Sequence, residues 1–323
     1  MRPSPSRRTA AVSGALLCLA ITLSGCTAHK RAATAATTPA APSASSVPSA
    51  AETSCGDATA SLRPPATLPS PRAMPAGSFM ATIAARGRLV VGTSQDTLLF
   101  SSRNPFTGNI EGFDIDTARE IAKAIFGDPK KLQIVVIPNS ARIPDVRAGT
   151  VDLVAETMTI NCARDKLVDF SSVYYDAGQK ILVPTTSHAT SLADLGGRKV
   201  CAAAGSTSLD AIKAAASHPI AVTEPSWGDC LVAFQQNQVD AISTDDTILA
   251  GLAAQDPYAK VAGARFTDEP YGLAINKSHP EFTRFVNAVL ARDRADGTWT
   301  QIYRRWLSKF ASTPSPPVAH YRD

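Results

Sequence analysis

The sequence is poor in aromatic residues and has almost no excess of charge. Aromatic side chains make up 6% of its 323 residues, and the formal net charge is only +4. A nucleic-acid-binding protein usually needs aromatic stacking platforms or a strong basic patch, so this composition argues against that class. The chain is 44% apolar, which is enough to bury the core of one large domain or of two ordinary ones.

The sequence also lacks the spacings of a metal or catalytic centre. It contains no CxxC pair, and its few histidines show neither metal-ligand spacing nor a Ser-His-Asp pattern. The histidines fall in the N-terminal segment or in predicted loops: His29, His188, His218, His279 and His320. We therefore expect no bound metal, no cofactor and no enzymatic reaction.

The N-terminal apolar run is too short to span a bilayer comfortably. It extends from Ala10 to Leu23, follows Arg7 and Arg8, and ends in Leu-Ser-Gly-Cys at Cys26. This ending resembles a bacterial lipobox, in which the cysteine is lipidated and becomes the new N-terminus. We expect a lipoprotein signal peptide at 1–25 and an exported protein anchored by Cys26 to the outer face of the cytoplasmic membrane. An ordinary secretory cleavage site followed by a chance cysteine is the alternative.

The exported part retains four of the six cysteines. Cys18 leaves with the signal peptide and Cys26 carries the lipid, and the remaining cysteines are Cys55, Cys162, Cys201 and Cys230. An oxidising exterior favours two disulfide bonds over free thiols. From the residues alone three pairings are possible, and four buried free thiols are the alternative.

Both ends of the exported chain are predicted to be loose. Residues 26–77 are dominated by Ala, Ser, Thr and Pro and contain few large apolar side chains, which predicts a tether. Because Cys55 lies inside this stretch, the part from Cys55 to about Leu62 should be attached to the folded domain. Residues 311–323 contain three prolines and are predicted to form a loose C-terminal tail.

Between these ends, β-rich apolar runs alternate with helical patterns, which is typical of an α/β protein with mostly parallel strands. One helix is predicted to open at Asp114 and Asp116 and to close at Gly127. The predicted strands are Arg88–Gly92, Leu132–Ile137, Val151–Ala155, Lys180–Val183, Lys199–Ala203, Ile220–Thr223, Ala241–Ser243 and Gly272–Ile275.

These elements divide into two sets that predict two lobes joined by two crossings. Residues 176–271 form a self-contained set of strands and helices, and residues 78–175 and 272–310 form the other. A ligand bound between such lobes is buried when they close and exposed when they open. The expected fold class is therefore α/β with two lobes and two hinge crossings.

Five motifs in the same order as in a known family carry a specific resemblance. The chain resembles the bacterial extracellular solute-binding proteins of family 3, whose polar amino acid class serves ABC importers and has the two-lobed type II periplasmic-binding-protein, or Venus-flytrap, fold. The motifs are GFDID at Gly112–Asp116, VDLVAETMTINCARDKLVDFS at Val151–Ser171, DLGGRKVCAAAGSTS at Asp194–Ser208, VDAISTDD at Val239–Asp246 and DGTWTQIYRRWL at Asp296–Leu307.

A narrower resemblance concerns two cysteines and a short loop. Cys201, Cys230 and the SRNP stretch at Ser102–Pro105 are similar to those of actinobacterial glutamine- and glutamate-binding lipoproteins. The resemblance implies a disulfide between Cys201 and Cys230. Cys55 would then pair with Cys162.

The resemblance also assigns the two charged partners of a free amino acid. An α-carboxylate and an α-ammonium group both need partners once water is excluded. Arg164 stands at the position of the arginine that binds the carboxylate in the family, and its planar fork suits this role. Asp245 stands at the position of the aspartate that binds the ammonium group. Asp246 is the competing candidate, and the alternative is that both aspartates only cap the next helix.

Further candidate ligands lie at the ends of predicted strands and near a helix start, where α/β sheets usually bind ligands. Thr157 and Thr159 follow a buried strand and offer hydroxyl and backbone groups. Ser206 and Thr207 precede a predicted helix, although a plain capping turn would look the same. The remaining candidates are Glu156, whose position supplies a backbone carbonyl in the family, and Asp96.

The sequence departs from the family where ligand specificity is determined. The positions of an aromatic stacking pair are taken by Thr97 and Asn139, and a cation found in some relatives is replaced by Ala204. Ser206, Thr207 and Asp96 remain as possible specificity determinants, and Glu156 would oppose a second negative charge. We therefore expect a polar amino acid of the glutamine, glutamate, asparagine and aspartate class, with amides favoured.

Two other functions are compatible with the same fold. The protein could be a sensor subunit that presents its ligand-bound state to a membrane signalling protein in place of a permease. It could also be similar to the cyclohexadienyl dehydratases, with Glu156 as a general acid. The expected partners are an amino-acid ligand and an ABC permease or membrane sensor, and the expected oligomeric state is a monomer.

Overall fold

A computed structural model describes residues 55–310 and 313–323. The predicted signal peptide, Cys26 and the first part of the predicted tether lie outside the described residues. In the described part of the chain no helix is both long enough and apolar enough to cross a membrane.

The strands and helices follow the predicted alternation. The strands are β1 (Leu89–Thr93), β2 (Asp96–Thr97), β3 (Ser101–Arg103), β4 (Ile110–Glu111), β5 (Leu132–Val136), β6 (Leu153–Val154), β7 (Asp169–Phe170), β8 (Tyr175–Ala177), β9 (Gln179–Pro184), β10 (Lys199–Ala203), β11 (Ile220–Glu224), β12 (Ala241–Asp245), β13 (Ala259–Ala262), β14 (Glu269–Tyr271) and β15 (Ala274–Ile275). The α-helices are α1 (Phe79–Arg86), α2 (Phe113–Phe126), α3 (Arg142–Ala148), α4 (Cys162–Asp165), α5 (Thr207–Ala214), α6 (Trp227–Gln235), α7 (Asp246–Ala253), α8 (Pro280–Ala295) and α9 (Thr298–Leu307).

The first lobe is built on a sheet with the order β5-β1-β6-β15-β7. Strand β1 pairs in parallel with β5 and β6. All five residues of β1 are buried, as expected for a central strand that is covered on both faces. Helix α2 packs its apolar residues into this lobe and ends at Gly127, whose φ of 72° provides the left-handed cap.

The second lobe is built on a sheet with the order β11-β10-β12-β9-β13. Strand β10 pairs in parallel with β11 and β12, whereas β9 pairs antiparallel with β12 and β13. Its core is separate from the first and contains the side chains of Cys201 and Trp227.

Two chain segments cross between the lobes and pair with each other. Strand β8 carries the chain into the second lobe, β14 brings it back, and the two form an antiparallel pair with Tyr175 opposite Tyr271. The rings of these tyrosines stack with centroids 5.6 Å apart. Separate sheets joined by two crossings confirm the expected two-lobed α/β fold class.

Both sheets are mixed, although the sequence pattern predicted mostly parallel strands. In the first sheet β15 runs antiparallel to β6 and β7. Strand β15 follows the crossing strand β14 after only two residues, Gly272 and Leu273, so no helical crossover of the kind that parallel pairing needs precedes it. The short sheet β2-β3-β4 was not predicted, because strands of two or three residues give no periodic signal.

Both disulfide bonds implied by the resemblance are present. Cys201 pairs with Cys230 inside the second lobe, with Cα atoms 5.7 Å apart. Cys55 pairs with Cys162 across 107 residues of sequence, with Cα atoms 5.6 Å apart. The second bond attaches the start of the described chain to helix α4.

The predicted loose C-terminal tail is wrong for the residues that the structure describes. Residues 55–63 and 318–323 lie against each other in what we call the terminal clasp, where Ser61 and Tyr321 form a parallel β-bridge. Arg322 forms ion pairs with Asp165 and Asp169 at 3.1 Å each. Arg322 is more than 150 residues from each of these aspartates in sequence, so the local composition of the tail could not reveal the ion pairs.

The predicted tether is also folded in its C-terminal part, beyond the stretch up to Leu62 that Cys55 was expected to attach. Leu68 and Met74 pack against the core of the first lobe. The backbone N–H of Arg72 donates to the carbonyl of Ile125 at 2.8 Å. Leu68 and Met74 are isolated apolar residues in this stretch, so the sequence shows no hydrophobic periodicity there. The stretch nevertheless packs against the first lobe.

Candidate functional site

Arg164 lies on the short helix α4, which follows β6 after the segment of residues 155–161. The side chain of Asn161 caps this helix by accepting a hydrogen bond from the backbone N–H of Arg164 at 2.9 Å. The Arg164 guanidinium donates to the carbonyl of Thr159 at 2.8 Å and to that of Gly205, in the second lobe, at 3.0 Å. Burial lowers the pKa of Arg164 to about 9. This arginine therefore stands at the interface between the lobes.

The segment after β6 is held by a buried carboxyl group. Thr157 has φ 41°, which is unusual for a β-branched residue, and its N–H donates to Asp114 at 2.9 Å. Asp114 also accepts from the hydroxyl of Tyr174 at 2.7 Å, and burial raises its pKa to about 7. Thr159 donates its hydroxyl to Glu269 at 2.6 Å. The helix that begins at the GFDID motif thus fixes the backbone of this candidate segment.

A second arginine, Arg142, lies beside Arg164 and was not among the residues predicted from sequence. Its side chain is 2% exposed and donates to the carbonyls of Asn139 at 2.9 Å, Glu156 at 3.1 Å and Gly205 at 3.2 Å. It is the first residue of α3, and an arginine at a helix start gives no signal that distinguishes it from a surface residue.

The second lobe supplies the start of helix α5. Ser206 caps this helix, with its hydroxyl accepting from the N–H of Leu209 at 3.1 Å, so the capping alternative describes its side chain. Thr207 donates its hydroxyl to Glu269 at 2.9 Å and lies 3.4 Å from the hydroxyl of Thr159. The hydroxyls of Thr159 and Thr207, which come from opposite lobes, therefore both contact the carboxylate of Glu269.

Asp245 ends strand β12, but its side chain does not cap helix α7. One carboxyl oxygen accepts from the hydroxyl of Tyr271 at 2.5 Å, and the other is buried without a partner in the described residues. Burial, reinforced by the charge of Glu269, raises the pKa of Asp245 to about 8. Asp246 instead bonds Arg265 at 2.7 Å and lines a different cavity. Of the two aspartates, Asp245 is the one in the cleft.

These side chains line a small cavity between the lobes, and its empty volume of about 210 Å³ includes space open to solvent. The candidates that line it are Arg164, Asp245, Thr157, Thr159, Ser206 and Thr207. Its other lining residues were not predicted as ligands from sequence: Asn139, Arg142, Ser208, Trp227, Thr244 and Ile248. Trp227 is 2% exposed and is the first residue of helix α6, a position that gives no sequence signal of a cavity.

Two sequence candidates do not line this cavity. Glu156 is buried, both of its carboxyl oxygens lack hydrogen-bond partners in the described residues, and burial raises its pKa to about 8. Asp96 accepts from the backbone N–H of Gly228 at 2.8 Å, at the start of helix α6 in the second lobe. Asp96 is therefore an inter-lobe contact beside the cleft. Among the described residues no cluster of three or more His, Cys, Asp or Glu side chains could hold a metal ion.

Residues 89–309 match the family described as bacterial extracellular solute-binding proteins, family 3. The chain belongs to this family. The resemblance carried by the five motifs is thereby confirmed, and membership in an extracellular family makes this an exported protein.

Among the relatives of this family 3 protein are two curated amino-acid-binding proteins. It is 40% identical to the ABC transporter glutamine-binding protein GlnH of Bacillus subtilis, over 71% of this chain and 85% of the relative. It is 31% identical to the glutamate-binding protein GluB of Corynebacterium glutamicum, over 69% of this chain and 79% of the relative. A solved structure of an ancestral arginine-binding protein bound to glutamine is 33% identical and similar in fold, with a TM-score of 0.65 over 69% of this chain and 98% of that one.

The cleft of this family 3 protein combines a basic side chain from one lobe with an acidic side chain from the other. Arg164 comes from the first lobe, Asp245 comes from the second, and the hydroxyls of Thr159 and Thr207 lie between the sheets. A zwitterion with one carboxylate and one ammonium group is complementary to such a pair. In this structure both residues line the same cavity.

Proposed function

We propose that this protein binds a polar amino acid outside the cytoplasmic membrane and delivers it to an ABC importer. The observation that carries the proposal is the placement of Arg164 and Asp245 on opposite lobes around one small cavity. The names of the relatives from Bacillus subtilis and Corynebacterium glutamicum support an amino-acid ligand, and the former also supports an ABC transporter as partner. Both relatives are named as binding proteins, which supports binding without turnover.

Each part of the amino acid has a proposed partner. Arg164 binds the α-carboxylate with its planar fork, since a charge-assisted bidentate pair offsets the desolvation of both groups. Asp245 and the Thr159 hydroxyl bind the α-ammonium group. Thr157, held by Asp114, and the Thr207 hydroxyl complete the shell. Ser206 contributes by capping the helix that presents Thr207.

The proposed mechanism is closure of the lobes on the ligand. We assign residues 78–175 and 272–310 to the first lobe and 176–271 to the second. The crossing strands β8 and β14 act as the hinge, because they are the paired segments that enter and leave the second lobe. A ligand that forms hydrogen bonds with both lobes binds the closed arrangement more tightly than the open one, and it therefore shifts the equilibrium towards closure.

We also propose that Cys26 carries a lipid anchor and that the exported protein works as a monomer. The apolar run that ends in Leu-Ser-Gly-Cys supports the anchor. Labelling of expressing cells with radioactive palmitate tests it. The wild-type chain should incorporate the label, whereas Cys26→Ala should not, and equal labelling of both would contradict lipidation at Cys26.

The ligand is tested with the full chain in detergent micelles by thermal shift against the twenty amino acids, prephenate and arogenate. A ligand that binds the folded state raises the melting temperature. We expect shifts with glutamine, glutamate, asparagine or aspartate and no product formation. A shift only with prephenate or arogenate, accompanied by turnover, would overturn the proposal in favour of an enzyme.

Arg164→Ala tests the site itself. This variant should lose about 3–5 kcal/mol of binding free energy, since it leaves the ligand carboxylate buried without a partner. Arg147→Ala removes an exposed arginine of the same lobe and should leave affinity unchanged. Equal affinity of wild type and Arg164→Ala in calorimetry would refute the assignment of this cavity.

A further inference from the structure

Two buried guanidinium groups converge on the same cavity, which is one more than a free α-carboxylate needs. Arg142 and Arg164 both donate to the carbonyl of Gly205, at 3.2 and 3.0 Å. In the described part of the chain, their side-chain hydrogen bonds all go to backbone carbonyls, and neither forms an ion pair with a carboxylate.

Among the described residues, no carboxylate is directly paired with the buried charge of Arg142. Three neutral carbonyls accept its hydrogen bonds, and burial lowers its pKa while the nearby carboxyls of Glu156 and Asp245 raise it. A buried cation gains free energy when a fixed anion joins it. The cavity that Arg142 lines is the place from which such an anion can approach.

A further donor lies in the wall of the same cavity. The indole N–H of Trp227 is buried and has no hydrogen-bond partner in the described residues, and the Trp227 side chain helps to line the cavity. An indole nitrogen and a guanidinium are donors only. A carboxylate can accept from both groups with its two oxygens, whereas an amide side chain has a single acceptor oxygen and an –NH2 group that can bond neither.

Glu156 does not exclude a second negative charge, contrary to the expectation from sequence. It is not among the residues that line the cavity. Its raised pKa, caused mainly by burial, favours the neutral form of its carboxyl group near pH 7. Because Glu156 lies outside the cavity lining, it makes no direct contact there that would oppose a ligand carboxylate.

We infer that the ligand is a dicarboxylic amino acid of the glutamate and aspartate class, whose side-chain carboxylate is bound by Arg142 while Arg164 holds the α-carboxylate. This inference rests on the proposed function, which it narrows from polar amino acids to acidic ones. Arg142 is thereby the residue that separates acids from their amides.

Calorimetry of the full chain in detergent micelles with glutamate, glutamine, aspartate and asparagine tests the inference. The wild type should bind one acid more tightly than its amide. Arg142→Gln should lower affinity for the acid by roughly 10- to 100-fold, the effect of losing hydrogen bonds to a charged group, and should change affinity for the amide much less. Arg147→Gln, an exposed arginine on the same helix, is the matched control and should change neither.

The outcomes separate this inference from the proposal on which it rests. Tighter binding of the amide by the wild type, or an equal loss for acid and amide in Arg142→Gln, would overturn the role of Arg142 and leave the amino-acid receptor intact. If none of the twenty amino acids binds, both fail. If Arg142→Gln does not fold, Arg142→Lys replaces it in the test. This variant retains the positive charge and should still bind the acid more tightly than the amide. Tighter binding of the amide by Arg142→Lys would also overturn the inference.

Discussion

Asp245 is a buried carboxyl group whose ionisation should be linked to ligand binding. Its pKa of about 8 results mainly from burial, and Glu269, Tyr271, Asp246 and Arg164 are the groups that act on it. A bound ammonium group favours the ionised form, so binding lowers this pKa and releases a proton below about pH 8. Affinity should therefore rise between pH 6 and pH 8, by at most about tenfold per pH unit.

Calorimetry in buffers of different ionisation enthalpy measures this proton release. Asp245→Asn should bind more weakly and should lack this part of the pH dependence. If Asp245→Asn shows the same pH slope as the wild type, the proton released on binding comes from another group.

Thr157 is a second residue whose geometry has a measurable consequence. Its φ of 41° lies in the left-handed region, which costs an L-residue other than glycine about 1–2 kcal/mol. Thr157→Ala and Thr157→Gly both remove the side chain, but only glycine relieves the backbone. Chemical denaturation should find the glycine variant more stable than the alanine variant by about 1 kcal/mol. An alanine variant of equal or greater stability would indicate that this residue is not strained.

At the scale of elements, helix α4 has only four residues and depends on its attachments. Cys162 ties it to Cys55, and Asp165 pairs with Arg322 of the terminal clasp. Replacing Cys55 and Cys162 by alanine should cost about 2–4 kcal/mol of unfolding free energy. Because Arg164 lies on this helix, ligand affinity should fall as well.

The other disulfide is the matched control for this prediction. Cys201→Ala with Cys230→Ala removes a bond inside the core of the second lobe, away from α4. This double variant should lower the stability measured by thermal melting. Its loss of ligand affinity, measured by calorimetry, should be smaller than that of the variant without Cys55 and Cys162. Equal losses of affinity in the two double variants would contradict a special role for the attachment of α4.

Long periodic elements could be predicted from sequence, and single contacts between distant segments could not. Strand β10 has the predicted bounds, Lys199–Ala203, because a continuous apolar run between turns has few alternatives. Arg142 could not be predicted as a site residue because it is held by backbone carbonyls of three separate chain segments, and carbonyls carry no sequence signal. The terminal clasp could not be predicted either, because the proline-rich composition of the C-terminal residues gives no information about partners more than 250 residues away in sequence.

At the scale of the whole molecule, closure requires a very close approach between backbones at Gly205. A Cβ atom on this residue would lie 2.9 Å from the Cα of Ser140 in the first lobe. Gly205→Ala should therefore oppose closure and lower ligand affinity at least tenfold, since the closed state becomes less populated. Calorimetry measures the loss, and small-angle scattering with saturating ligand should show a more open molecule.

Gly197 provides the control within the same lobe. It also has a positive φ, of 68°, but a Cβ there meets nothing within 4 Å. Gly197→Ala should cost about 1 kcal/mol of stability through backbone strain and leave affinity unchanged. Loss of affinity in both alanine variants would mean that strain, not closure, is responsible.

The terminal clasp gives the described chain an almost circular path. Ser61 and Tyr321 are bridge partners, and Asp57 contacts His320 at 2.9 Å, so both ends of this path lie side by side on one lobe. A circular permutant can therefore be made by joining residues 55 and 323 through a short linker and opening the chain at the exposed turn around Tyr258. Its new ends would lie in the other lobe. Fluorescent labels at those new ends would then move with the swinging lobe, which would turn the receptor into an optical reporter of its own ligand.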